Sequence, residues 1–195
     1  MSIGLLVAIL AVIALIGGAW WFVHLNVRGR PAPLKLQVGD ALPAFGAETE
    51  SGGSVNSSDL RGQPAVILFV RGSWCPFCNR QVADLTSHYK EITDRGARLI
   101  FVTPKPLDTT RRVAEMFDVK FEFWLDPDLA IARQLDLVHS AGVPGKHQET
   151  FGHDTVWPTA LVCDAEGIIR YASQSKRIMD RPDPRTLLDC LSELG

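Results

Sequence analysis

A continuous apolar run, Ala65-Val-Ile-Leu-Phe-Val70, leads within five residues into Trp74-Cys75-Pro76-Phe77-Cys78. A strand without polar alternation has both faces buried, as happens where helices cover a sheet on each side. Behind the cysteines, Phe77, Val82, Leu85, Tyr89 and Ile92 recur at near-helical spacing, so a helix begins at the motif itself. The two thiols therefore stand between the end of a buried strand and the first turn of a helix. That local frame points to an α/β architecture.

Further segments fit the same pattern. Leu99-Ile-Phe-Val102 reads as a second buried strand, and Asp108 as the N-cap of a helix turning Val113, Met116 and Phe117 inward. Phe121-Glu-Phe-Trp-Leu125 is a third strand candidate, closed by Asp126-Pro127. Thr159–Cys163 and Ile168–Tyr171 flank Asp164-Ala-Glu-Gly167 as a β-hairpin. Asp183-Pro184 opens a last helix with Leu187, Leu188, Leu191 and Leu194 on one face.

Four cysteines are too few and too unevenly spaced for a disulfide-stapled mini-fold. A chain of 195 residues can build a core without cross-links, so the close pair invites a chemical reading. A C-x-x-C on a β-α unit is the thioredoxin-like redox pattern. The expected fold is accordingly α/β and thioredoxin-like: a mixed central β-sheet with helices on both faces, plus one N-terminal transmembrane helix. Backbone N–H groups and the dipole at a helix N-terminus favour negative charge, so a thiolate at Cys75 would be stabilised. Cys78 lies one turn later, within reach to form or resolve a disulfide. Pro76 suits the first helical turn, where a missing N–H costs nothing. A zinc site would need two further ligands, and no second C-x-x-C or C-x-x-H exists. No metal site is expected, and the redox cofactor is the Cys75–Cys78 dithiol itself.

From Ile3 to Val23 every residue is apolar or glycine, with Trp20 and Trp21 at the far end. About 20 helical residues span roughly the 30 Å of a bilayer core. A cleaved signal peptide would want Lys or Arg ahead of a shorter apolar core and a small-x-small cleavage site. No basic side chain precedes Ile3, and Trp20, Trp21 and Phe22 crowd the cleavage region, so residues 1–23 read as an uncleaved anchor. Residues 24–37 read as a tether carrying Pro31 and Pro33, and 38–195 as the redox domain. Arg28, Arg30 and Lys35 follow the span, a bias that would place the domain in the cytoplasm. Net charge of −2 and the lack of a basic run exclude a nucleic-acid footprint.

A family resemblance rests on three stretches: Val38-Gly-Asp40-Ala-Leu-Pro43-Ala-Phe45, Ser58-Asp-Leu-Arg-Gly-Gln-Pro64, and Arg71-Gly-Ser-Trp-Cys-Pro-Phe-Cys-Asn-Arg-Gln81. Together they resemble the alkyl hydroperoxide reductase / thiol-specific antioxidant family, on the peroxiredoxin-like side of the thioredoxin superfamily. The resemblance covers about residues 36–195. It implies that Val156-Trp157-Pro158-Thr159 is the superfamily's cis-proline loop beside the redox cysteines, with Trp157 and Pro158 shaping the groove where a substrate docks. Trp74, Pro76 and Phe77 would tune the pair. Peroxiredoxins carry a peroxide-binding arginine about where Pro158 falls, and Thr or Ser three residues ahead of the first cysteine, where this chain has Gly72. Both departures favour disulfide exchange over peroxide reduction. Thioredoxins carry a buried Asp where Phe69 stands, so the base for Cys78 is unassigned.

Cys163, inside an apolar strand, reads as a small hydrophobe. Cys190 flanks the leucine face of the last helix; pairing with Cys163, or distant resolving, stays open. His139, His147 and His153 fall in a Gly/Pro-containing segment, 137–155, and read as surface loop histidines. Copper-delivering thioredoxin-fold proteins pair two cysteines with a histidine, a role His153 could take. The expected activity is thiol–disulfide exchange by an anchored oxidoreductase, on a protein or small-molecule disulfide or thiol, with a separate redox partner. Peroxiredoxin-type hydroperoxide reduction and copper chaperoning are the alternatives. Many anchored thioredoxin-like proteins face outward, so the resemblance implies an extracytoplasmic domain.

Overall fold

The computed structural model describes residues 3–27, 32–105, 122–175, 177 and 179–194. They form two units, Met1–Arg30 and Pro31–Gly195. The first is helix α1, Ile3–Val27. Its stretch Ile3–Val23 is 21 residues long, apolar and exposed throughout, enough to cross a membrane. A signal sequence has the same length and composition. From Ala32 the chain belongs to the second unit. Leu36 is fully buried there, and Lys35 pairs with Asp136 at 3.1 Å.

The second unit is built on a seven-stranded mixed sheet. Its strands are β1 (Gly46–Thr49), β2 (Ser54–Asn56), β3 (Ala65–Phe69), β4 (Arg98–Thr103), β5 (Glu122–Leu125), β8 (Thr159–Cys163) and β9 (Ile169–Gln174), in the order β2-β1-β5-β4-β3-β8-β9. Strands β3, β4 and β5 run parallel, while β8, β9, β1 and β2 add antiparallel pairs at the two sides. Strand β3 is central, which is why all five of its residues are buried.

Alternate residues of β3, with Val70 just beyond it, supply two cores. Ala65, Ile67 and Phe69 join Phe45, Trp124, Leu135 and Leu161 on one face; Val66, Leu68 and Val70 join Val82, Leu85, Phe101 and Leu188 on the other. The second face is covered by α2 (Pro76–Ser87), α3 (Tyr89–Asp94) and α6 (Pro184–Ser192). Helix α4 (Ala130–Gln134) packs on the first. Helices thus cover both faces of a mixed sheet, the thioredoxin-like α/β arrangement expected.

Two local readings differ from the structure, and one hairpin is not legible in the sequence. The helix behind the cysteines breaks at His88, separating α2 from α3. Thr86 and Ser87 turn their hydroxyls back onto the carbonyls of Val82 and Asp84, a competition that ends helices. The stretch 46–56 forms the β1–β2 hairpin, too short and polar to stand out in the sequence. Within 137–155 lie the ribbon β6 (Val138–His139) and β7 (Thr155–Val156) and the one-turn helix α5 (Gln148–Phe151). The helix expected behind Asp108, and Phe121, lie outside the described residues.

Candidate active site

Strand β3 ends at the centre of the sheet, and the chain turns through residues 70–75 before entering α2. Gly72 adopts φ +119, and a β-carbon there would meet the Phe151 ring at 3.1 Å. Glycine is therefore required by both conformation and space. The turn closes with the Cys75 amide donating to the Gly72 carbonyl at 3.2 Å and the Asn79 side chain to the Ser73 carbonyl at 2.8 Å.

Cys75 is the N-cap of α2, Pro76 occupies its first turn, and the Cys78 amide donates to Cys75 Sγ at 3.4 Å. Both cysteines are free thiols and both are buried. They differ in what they face. Cys75 opens onto a cavity of about 590 Å³ also bordered by Arg71, Trp74, Pro76, Phe77, His139 and Trp157. Cys78, 1% exposed, lies behind it against the core of α2 and α6.

Two arginines serve the sulfurs. Arg181, from the loop between β9 and α6, brings Nη2 to 3.4 Å from Cys78 Sγ and 3.9 Å from Cys75 Sγ. Arg71, 6% exposed, donates to His139 Nδ1 at 2.9 Å and to the Val156 carbonyl at 3.4 Å. Its charge acts on both cysteines. The pair ionises as a unit. Cys78 is pulled down from 9.0 to about 6, first by its coupling to the Cys75 side chain and, against the cost of burial, by Arg181 and the Arg71 amide. Cys75 is raised by the same coupling and by burial, with the Cys78 amide and Arg181 pulling the other way. The N-cap geometry expected to stabilise a thiolate at Cys75 is present, and Arg181 lies within reach of both sulfurs.

The wall opposite Cys75 comes from the 137–157 segment. His139 stacks on Trp157 with centroids 3.8 Å apart, and Arg71 lies over the Trp157 ring at 5.6 Å. Burial and the Arg71 charge lower the His139 pKa, keeping the ring neutral. Trp74 stacks on His147 at 5.9 Å. His139 and His147 therefore line the cavity, which corrects their reading as surface loop residues; His153 is exposed. Tertiary packing of the ribbon, invisible to local pattern, makes the difference. Among the described residues no group of three His, Cys, Asp or Glu side chains is placed to hold a metal ion.

The Trp157–Pro158 bond is trans, a correction to the cis expectation. Trp157 borders the cavity, whereas Pro158 is buried beside it. The Trp157 amide donates to the Leu137 carbonyl at 2.6 Å, and the Pro158 carbonyl accepts from Ser175 at 2.7 Å. Both bonds hold an extended path straight into β8, and the second ties down the loop that carries Arg177 and Arg181.

Cys163 and Cys190 stand apart from the site and from each other's core. Cys163 belongs to the face of Leu161, and burial raises its thiol to about 12. Cys190 packs at the margin of the opposite core and is free. Sequence reasoning missed Arg181 entirely and met Arg71 only as part of a motif. Nothing in Met179-Asp-Arg-Pro-Asp183 signals that its arginine reaches back over a hundred residues.

A thioredoxin-like sheet with a C-x-x-C at the β3–α2 turn, its sulfurs held by cations, defines an oxidoreductase of the thioredoxin superfamily. Residues 38–172 match the AhpC/TSA family, and the chain belongs to that family. Peroxiredoxin Bcp of Escherichia coli K12 is 24% identical over 136 residues, covering 70% of this chain and 84% of that protein. The thiol-disulfide oxidoreductase ResA of Bacillus subtilis is 27% identical over 103 residues, covering 43% of this chain and 57% of that protein. The crystal structure of peroxidoxin BcpB from Mycobacterium tuberculosis superposes with a TM-score of 0.65 at 19% identity, covering 82% of this chain and 99% of that one.

Proposed function

We propose that this protein is a membrane-anchored thiol–disulfide oxidoreductase that works through Cys75 and Cys78. One observation carries the reading: Cys75 opens onto the cavity while Cys78 lies behind it, with Arg181 within reach of both sulfurs. In the reduced protein Cys75 Sγ, as thiolate, attacks one sulfur of a substrate disulfide while Cys78 holds the pair's remaining proton. The substrate S–S bond breaks, a mixed disulfide forms, and the first product leaves as thiolate, taking the proton from Cys78. The Cys78 thiolate then attacks Cys75 Sγ and expels the second product thiolate. Two electrons pass from the cysteine pair to the substrate, and a separate thiol partner returns them. The cysteine pair is the redox group, supported by Trp74, Pro76, Phe77, Trp157 and Pro158.

A second reading is favoured by the peroxiredoxin relatives and by the two arginines at the sulfurs. Cys75 would attack a hydroperoxide O–O bond to give a sulfenic acid and an alcohol or water, and Cys78 would displace water from it to close the disulfide. Proline in the position of the peroxide-binding arginine weighs against this order.

The deciding experiment uses the full chain, reduced, in non-ionic detergent. Second-order rates with hydrogen peroxide and with a neutral small disulfide are compared across the wild type, Cys75→Ser and Cys78→Ser. Fast disulfide reaction with slow peroxide reaction, abolished by Cys75→Ser, supports exchange. Faster peroxide consumption dependent on Cys75 would make the protein a peroxidase. Membrane attachment through residues 3–23, with the domain on the outer side, is tested separately. An intact mass that retains residues 1–27, resistance to alkaline extraction, and outer-side activity of a reporter fused after Gly195 are the expected results.

A further inference from the structure

The cavity in front of Cys75 has a one-sided charge. Arg71, Lys146 and Arg177 border it, and among the described residues no Asp or Glu does. Among the described residues none of these three forms an ion pair with a carboxylate, although Asp180 acts on Arg71 from outside the wall. Among the described residues a ligand entering this opening therefore meets cations and no bordering carboxylate.

The remaining wall is flat and aromatic. Trp74, Phe77 and Trp157 face the same space, and Trp157 is braced by the His139 stack at 3.8 Å. A volume of about 590 Å³ is in the range of small-molecule sites. Cations flanking apolar planes suit a compact ligand with carboxylates at its ends and an uncharged middle. The reacting sulfur lies at the apolar part, beside Pro76 and Phe77.

We infer that the substrate is a low-molecular-weight disulfide carrying carboxylate groups, seated with its S–S bond at Cys75 and its carboxylates toward Arg71, Lys146 and Arg177. This rests on the exchange chemistry proposed above and adds the class of substrate. The reaction balances as before: two electrons from the dithiol cleave one disulfide into two anionic thiols, and the Cys75–Cys78 disulfide forms. Lys146 and Arg177 act on the ligand's ends, Arg71 acts on both the ligand and the cysteines, and Arg181 stays at the sulfurs.

The test uses the reduced full chain in non-ionic detergent and three probes: oxidised glutathione (anionic), bis(2-hydroxyethyl) disulfide (neutral) and cystamine (cationic). Each second-order rate is divided by the rate of the same probe with dithiothreitol, which removes intrinsic disulfide reactivity. At low salt the normalised rate for oxidised glutathione should exceed that for cystamine by about tenfold or more, and the gap should shrink in about 0.5 M salt. Lys146→Glu with Arg177→Glu should reverse the order. Lys90→Glu, exposed on α3 and absent from the cavity wall, should leave the ratio as it is. Equal normalised rates, or a preference for cystamine, would overturn the substrate class while reaction with the neutral probe upholds exchange. If the neutral probe too reacts no faster than a free thiol, the exchange reading falls and the substrate class with it.

Discussion

Arg181 Nη2 lies 3.4 Å from the sulfur of Cys78 and 3.9 Å from that of Cys75, so one guanidinium spans both members of the redox pair. The two cysteines are one helical turn apart, while Arg181 enters from a loop on the far side of β9. A buried thiolate would otherwise bear the full cost of desolvation. The arginine, within reach of both sulfurs, offsets that cost.

Arg181→Gln removes the cation while keeping a polar side chain. An opposite charge at this range shifts a thiol by about one unit or more, so the Cys78 pKa should rise from about 6 toward 7 or above. Thiolate absorbance followed over pH reads the shift, and disulfide reduction at neutral pH should slow several-fold. An unchanged titration curve would show that the charge is held by the Cys75 hydrogen bond alone.

Stability should depend on pH differently in the two redox states. Cys78 ionises at about 6 in the fold against an ordinary 9.0, so between these values the unfolded chain binds a proton that the native state has released. The reduced protein therefore gains stability as pH rises from about 6 toward 9, and that gain is lost on acidification through 6. Cys75 is raised instead, so above its ordinary value stability falls again with rising pH. Oxidised protein has neither thiol and should lack both features. Denaturant unfolding of the two forms across this range gives the comparison, and parallel curves would contradict the shift.

Gly142→Ala should damage the cavity wall. A β-carbon there would sit 2.6 Å from His139 Nδ1 and 2.8 Å from Thr155 Cγ2, distances that force the ring off Trp157 and away from Arg71. Overpacking of this kind costs about 1–3 kcal/mol. Thermal unfolding should report the loss, and disulfide reduction should fall with it. Wild-type stability and rate together would mean that the ribbon yields without disturbing the stack.

Cys163→Ser should leave redox chemistry untouched and weaken the fold. The side chain is 1% exposed within an apolar strand, where a hydroxyl without a partner costs about 1–3 kcal/mol. Disulfide reduction at wild-type rate with a lowered denaturation midpoint is expected. Loss of turnover in a folded variant would instead give Cys163 a resolving role.

Much of this architecture could be read from the chain because its causes are local. The six apolar residues Ala65–Val70 demand burial on both faces, so they seek the centre of a sheet. Cys75-Pro76-Phe77-Cys78 opens a helix because proline suits a first turn and the N-cap thiol accepts an amide. Asp183-Pro184 and the leucines behind it likewise declare a capped amphipathic helix, and the structure contains it. Periodicity and capping act over a few residues and so are written in order along the chain.

The site's electrostatics had no such local cause. Arg181 follows Cys75 by 106 residues and meets it only because β9 returns beside β8 and the Pro158–Ser175 bond secures the loop between. His139 and Trp157 stack only when the β6–β7 ribbon pairs. The trans Trp157–Pro158 bond was equally closed to sequence reasoning, since the isomer depends on surrounding hydrogen bonds rather than on proline itself. What the sequence determined alone was the thiol pair, its strand–helix frame and the apolar N-terminal helix. Which cation reaches the sulfurs, and which cations border the cavity, were decided by long-range packing, because Coulomb interactions follow distance in space and not along the chain.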